Sequence, residues 1–92
     1  MINAVMIDEK DNVSVAIDKI DKGNDISYKL GDNIHTLKAI DNIQIYHKFA
    51  NKDIKKGEPI VKYGEHIGIA GTYIKAGQHV HTHNVESNRE DL

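Results

Sequence analysis

Ile20-Asp21-Lys22-Gly23-Asn24-Asp25-Ile26 returns in form as Ile54-Lys55-Lys56-Gly57-Glu58-Pro59-Ile60 and again as Ile74-Lys75-Ala76-Gly77-Gln78-His79-Val80. The shared pattern is Ile-x-x-Gly-x-x-(Ile/Val). One physical device explains all three copies. The first isoleucine anchors a turn in the core, the glycine takes a positive φ, and the chain then enters a strand. The polar residues around each glycine suit a turn that faces water. The copies lie 34 and then 20 residues apart, which excludes a solenoid of fixed period. They read as a recurring corner in an irregular β fold.

The residues between the corners agree. Ile and Val supply 20 residues and Leu only 3, with eight Asn and seven Gly as punctuation. β-Branched side chains suit a pleated, half-buried surface and are stiff in helices. Val5–Ile7 and Val13–Ile17 flank the polar turn Asp8–Asn12 and predict a hairpin. Ile26–Leu30 and Ile34–Ala39 flank Gly31 and predict a second. Ile43 and Ile45 alternate, and Ile60–Tyr63, Ile67–Ala70 and Val80–Val85 complete the strands. Ile34, Leu37 and Ile40 also sit at helical spacing, but the β-branched content and flanking turns favour strand. The fold class is all-β, with short strands and little helix.

Ninety-two residues predict a single domain over residues 1–92. A chain of this size buries roughly 60% of its unfolded surface, enough for one small core and not for two. The absence of cysteine excludes a disulfide framework, thiol catalysis and any Cys-ligated metal. The net charge of −2 comes with lysines scattered among acids, so there is no basic patch for nucleic acid. No apolar run reaches membrane-spanning length and no signal-peptide core stands at the N-terminus, so the expectation is no membrane and a cytoplasmic location. The polar tail Glu86–Leu92 is expected on the surface or reaching towards a partner.

Six histidines are present, three of them in His79-Val80-His81-Thr82-His83-Asn84. On a strand, positions i, i+2 and i+4 share one face, which would set three imidazoles in a row with Val80 and Thr82 opposite. Imidazole is the commonest ligand of first-row transition metals. Metal binding and direct contact with an anionic substrate both remain open for this row, and His79, nearest the Gly77 turn, is its weakest member. His47-Lys48 closes a candidate strand, where such a pair could hold a carboxylate or exchange a proton. Tyr63-Gly64-x-x-Ile67-Gly68-x-Ala70 lacks the helix start and Gly-Lys-Thr/Ser of a phosphate loop, so it reads as a tight turn followed by close packing. His35 and His66 have no partner in the local pattern.

Taken together, these segments resemble the SAF domain of sugar-acid dehydratases, in particular the altronate dehydratase (altronate hydrolase) and sulfolactate sulfo-lyase small-subunit family. The matching pieces are Asp11-Asn12-Val13-Ser14-Val15-Ala16, His47-Lys48-Phe49-Ala50, Asp53-Ile54-x-x-Gly57-Glu58, Ile60-Val61-Lys62-Tyr63-Gly64-x-x-Ile67-Gly68-x-Ala70 and Gly77-x-His79-Val80-His81-Thr82-His83-Asn84. The chain departs from the family at Tyr46, where glycine is usual, and at Asn51, where leucine is. The resemblance implies a β-clip fold of long folded hairpins. It also implies a hydro-lyase component, inactive alone, that works with a large dehydratase subunit on a sugar-acid substrate, removing water from a hexonate to give a 2-keto-3-deoxy acid. The cofactor implied is a divalent metal, Fe2+ or Mn2+, held weakly by this chain in isolation or bound only with the large subunit. The residues implied are His47 and Lys48 for catalysis, His81 and His83 for metal, and His79 and Asn84 for substrate or interface. A sulfolactate sulfo-lyase small subunit and a non-catalytic SAF binding module are the alternatives. A site shared between subunits should leave residues 79–84 exposed, with imidazoles that titrate near the ordinary value of about 6.5.

Overall fold

All three predicted corners form, and a fourth forms with them. Gly23, Gly57 and Gly77 adopt φ values of 93°, 89° and 91°, the third position of a type II turn. Each turn is closed by an i to i+3 bond of 3.0 Å, in which the amides of Asn24, Glu58 and Gln78 donate to Asp21, Lys55 and Lys75. The fourth corner is Ile43-Gln44-Ile45-Tyr46-His47-Lys48-Phe49. There Tyr46 takes the positive φ, at 69°, and the His47 amide donates to Gln44 at 3.0 Å. Each corner is clamped to one buried alanine. The amides of Gly23, Tyr46, Gly57 and Gly77 donate to Ala39, Ala16, Ala70 and Ala50 at 2.7–2.8 Å, and each alanine donates back to the residue after the turn. The corners then pair through their first isoleucines: Ile20 with Ile43 and Ile54 with Ile74, each by two reciprocal bonds of 2.8–2.9 Å.

The computed structural model describes residues 1–86; the rest of the expected tail lies outside the described residues. The strands are β1 (Ala4–Val5), β2 (Val13–Ala16), β3 (Asp25–Leu30), β4 (Asn33–Lys38), β5 (Lys48–Ala50), β6 (Pro59–Lys62), β7 (Glu65–Ala70), β8 (His79–Val80) and β9 (Val85–Glu86). They form a six-stranded sheet in the order β4-β3-β1-β2-β5-β8 and a three-stranded sheet in the order β6-β7-β9. The fold is all-β, with no helix among the described residues, and so none long and apolar enough to cross a membrane. Both early hairpins form, β1 against β2 and β3 against β4. The β6–β7 hairpin turns at Tyr63 and Gly64, both at positive φ, the pattern of a type I′ turn.

Three expectations need correction. Val80–Val85 is not one strand: β8 stops at Val80, residues 81–84 turn, and β9 joins the other sheet. The cause is Asn84, whose side chain accepts from the His81 amide at 3.0 Å and donates to the His79 carbonyl at 2.8 Å. Those local bonds replace strand pairing. Ile43 and Ile45 do not form a strand either, because they belong to the fourth corner. Third, the interior holds two apolar clusters rather than one. Ala4, Ala16, Ile20, Ile26, Tyr28, Ala39, Ile43 and Phe49 form the first, and Val13, Ala50, Ile54, Ile60, Ala70, Ile74 and Val80 the second. Each corner pair gathers its own cluster. Paired strands β2 and β5 run through both, with Ala16 and Phe49 in one and Val13 and Ala50 in the other. Burying one isoleucine contributes about 1.5–3 kcal/mol, so both clusters matter for a chain of this length.

Candidate functional site

Two corners release their chains side by side. The Tyr46 corner leads into β5 and the Gly77 corner into β8, and these strands pair with Lys48 opposite Val80 and Phe49 opposite His79. That register carries His47 to the same end as His81. The His47 Nδ1 and His79 Nε2 atoms lie 2.9 Å apart, so one ring N–H donates to the other ring's lone pair. His47 stacks on His79 and His81 with ring centroids 5.1 and 4.7 Å apart. His83 stacks on His79 at 5.3 Å. Four imidazoles therefore converge, although residues 81–84 are a turn and not the strand expected. Asn84 is buried and spends its side chain holding that turn, and the Asp41 carboxylate accepts from the His79 amide at 3.0 Å.

The cluster is less exposed than expected. His81 and His83 face solvent, but His47 and His79 are half-buried. His79 does not keep its ordinary pKa. Burial first, and then the neighbouring imidazoles of His47, His83 and His81, hold it below that value, while the Asp41 carboxylate pulls the other way. His79 is thus the hub of the group and not its weakest member. Lys48, also half-buried, is held below the usual lysine range by burial and then by the charge of Lys62. Beside the imidazoles Lys48, Ile67, His81, Thr82 and Val85 line a cavity of about 190 Å³. The Tyr63–Ala70 stretch behaves as read, a tight turn and then close packing. A Cβ on Gly68 would stand 2.6 Å from a methyl of Val85, and Val85 and the neighbouring Ile67 both line the cavity. His35 stacks on Tyr28, and neither it nor exposed His66 joins the group.

The profile of the altronate/galactarate dehydratase SAF domain matches residues 2–88. The chain belongs to that family. It is 41% identical over 88 residues to an altronate dehydratase of Escherichia coli (strain K12), covering 96% of this chain and 17% of the relative. It is 37% identical over 92 residues to an altronate dehydratase of Bacillus subtilis (strain 168), covering all of this chain and 18% of the relative. A (2R)-sulfolactate sulfo-lyase subunit alpha of Chromohalobacter salexigens is 34% identical over 91 residues, 96% of this chain and 97% of the relative. The SAF chain therefore spans less than a fifth of the altronate dehydratases and nearly the whole of the sulfo-lyase subunit.

The donor set of this SAF domain suits a divalent metal. One ring nitrogen from each of His47, His79 and His81 lies within 4.8 Å of the others. An ion bound to imidazoles at about 2.0–2.1 Å separates its donors by roughly 3 Å, so small ring movements suffice. His83 lies outside that trio, against His79. The depressed pKa of His79 keeps its lone pair available at neutral pH. The part of the site that sequence reasoning missed is the fourth corner, which sets His47. Its signal was present as Ile43-x-x-Tyr46-x-x-Phe49, with tyrosine in the glycine position.

Proposed function

We propose that this SAF domain is the small component of a metal-dependent hydroxy-acid lyase that acts on a hexonate of the altronate class together with a separate large subunit. The observation that carries the reading is the imidazole cluster of His47, His79 and His81 in a chain of this family. A divalent metal held there would supply Lewis-acid polarisation of the substrate's carboxylate. Elimination next to a carboxylate further needs a proton acceptor and a proton donor for the leaving hydroxyl. His83, exposed and outside the trio, is the ring free to move a proton. Asn84 and Asp41 fix the backbone on which the rings are mounted. The cluster is open on one side, since His81 and His83 face water, and a closed site needs a second surface to exclude solvent. That surface is assigned to the large subunit.

A second reading, the alpha subunit of a (2R)-sulfolactate sulfo-lyase, draws on the match to 97% of such a subunit. The experiment separates the two. The full chain is combined with a candidate large lyase subunit from the same genome, with Fe2+ or Mn2+, and offered altronate or (2R)-sulfolactate in parallel. Formation of a 2-keto-3-deoxy acid from altronate only when both chains are present is the expected result. Consumption of sulfolactate alone selects the second reading, and turnover by this chain unaided overturns the two-component account.

A further inference from the structure

We propose that the cavity beside the imidazoles is an anion subsite, in which Lys48 receives the carboxylate or sulfonate of the acid while the hydroxylated chain lies outside it. This inference rests on the lyase reading and deepens it. Lys48 is half-buried and lines a cavity of about 190 Å³. Among the described residues no carboxylate comes within ion-pair distance of it; the ion pairs there join Lys19 to Asp21 and Lys38 to Asp25. A second cation, Lys62, is close enough to act on it and is itself set over the Tyr63 ring, 4.8 Å from the centroid. Lys62 does not line the cavity, but its charge adds to that of a half-buried ammonium with no internal counter-ion, and this favours an anion supplied from outside.

The walls define which part of the ligand fits. Ile67 and Val85 supply apolar surface, and besides Lys48 the lining residues with polar side-chain atoms are Thr82 and His81. A polyhydroxylated chain buried here would leave most of its hydroxyls without partners, which is costly. A compact oxyanion needs only the ammonium and one or two further donors. This chain would therefore recognise one compact anionic group of the acid, and the partner the rest of the molecule.

The test uses the full chain, labelled with 15N and stripped of metal, at about pH 8, where ordinary imidazoles are neutral. Propionate, methanesulfonate and the uncharged propionamide are titrated separately, following the amides of Lys48, Thr82 and Val85. Saturable shifts with one or both anions, and none with propionamide, are expected; the two anion arms show whether carboxylate or sulfonate is preferred. Lys48→Met should weaken binding about tenfold or more, as loss of a charge-assisted bond does, Lys48→Arg should retain it, and Lys62→Met should weaken it by less. Shifts that do not saturate, that propionamide reproduces, or that survive in a folded Lys48→Met chain overturn the subsite. Zinc titration of the same samples reports on the imidazoles independently. Zinc bound by the rings without an anion response removes the subsite alone, and an anion response without zinc binding removes the metal reading alone.

Discussion

The corners at Gly23 and Gly57 and the corners at Tyr46 and Gly77 share one backbone device and do different work. The first pair is open around the turn: a Cβ added at Gly23 or Gly57 would meet nothing within 4 Å. The Gly77 corner is pressed against the backbone of the first half, where an added Cβ would stand 2.1 Å from the Lys38 carbonyl oxygen. Its chain leaves as β8, beside the β5 strand that leaves the Tyr46 corner. All four corners build the fold. Only the two whose exits are neighbours in the sheet bring histidines together. A repeated turn thus becomes a site through the adjacency of its exit strands.

The largest effect should separate these corners directly. Gly77→Ala combines an unfavourable φ with a backbone clash and should cost about 3 kcal/mol or more, with loss of the imidazole cluster. Gly57→Ala meets the φ penalty alone and should cost about 1–2 kcal/mol. Urea unfolding of both variants gives the comparison, and equal losses would break it. Asn84→Ala should come next, at about 1–3 kcal/mol, because it leaves the His81 amide and His79 carbonyl without their partner. Its metal affinity should fall roughly 10–100-fold, as for other groups that orient ligands. Asn84→Asp, which keeps the acceptor for the His81 amide, should recover part of both.

Tyr46→Gly should act in the opposite direction. Tyr46 is 72% exposed, so little burial is lost, while glycine relieves a left-handed conformation that costs a non-glycine residue about 1–2 kcal/mol. The greater freedom of glycine in the unfolded chain offsets part of that gain. The expected net change is a stabilisation of up to about 1 kcal/mol, and a loss of stability would mean that the tyrosine ring has a role at the site. The smallest effect concerns pH. His79 is held below its ordinary pKa in the folded chain, so on acidification the unfolded chain takes up this proton first. Stability should therefore fall as pH drops through about 6.5, and stop falling on this account below the folded pKa. His79→Ala should flatten that part of the profile, and an unchanged slope would assign it to another group.

The fold was legible where turn chemistry and alternation coincide. The three Ile-x-x-Gly corners, both early hairpins and the Tyr63-Gly64 turn follow from residues whose conformational demands are local. The fourth corner was hidden because its positive φ belongs to tyrosine, which carries no such demand of its own. The three-residue strand β5 was hidden with it, being too short to alternate. The site was legible as a set of histidines and not as an arrangement. His79-x-His81-x-His83 suggests a strand face, but Asn84 captures the His81 amide and bends the segment. The convergence of His47 with His79 and His81 depends on the pairing of β5 with β8, which joins residues thirty or more positions apart. The two apolar clusters likewise follow from which isoleucines pair, a long-range matter.

Zinc titration of the full chain, observed through the histidine ring nitrogens, shows whether the two adjacent corners hold one metal between them. One equivalent should move the rings of His47, His79 and His81 together, and His79→Ala should abolish the joint response. If His81 and His83 respond without His47, or if a folded His79→Ala chain binds zinc as the wild type does, then the corners at Tyr46 and Gly77 do not build a metal site.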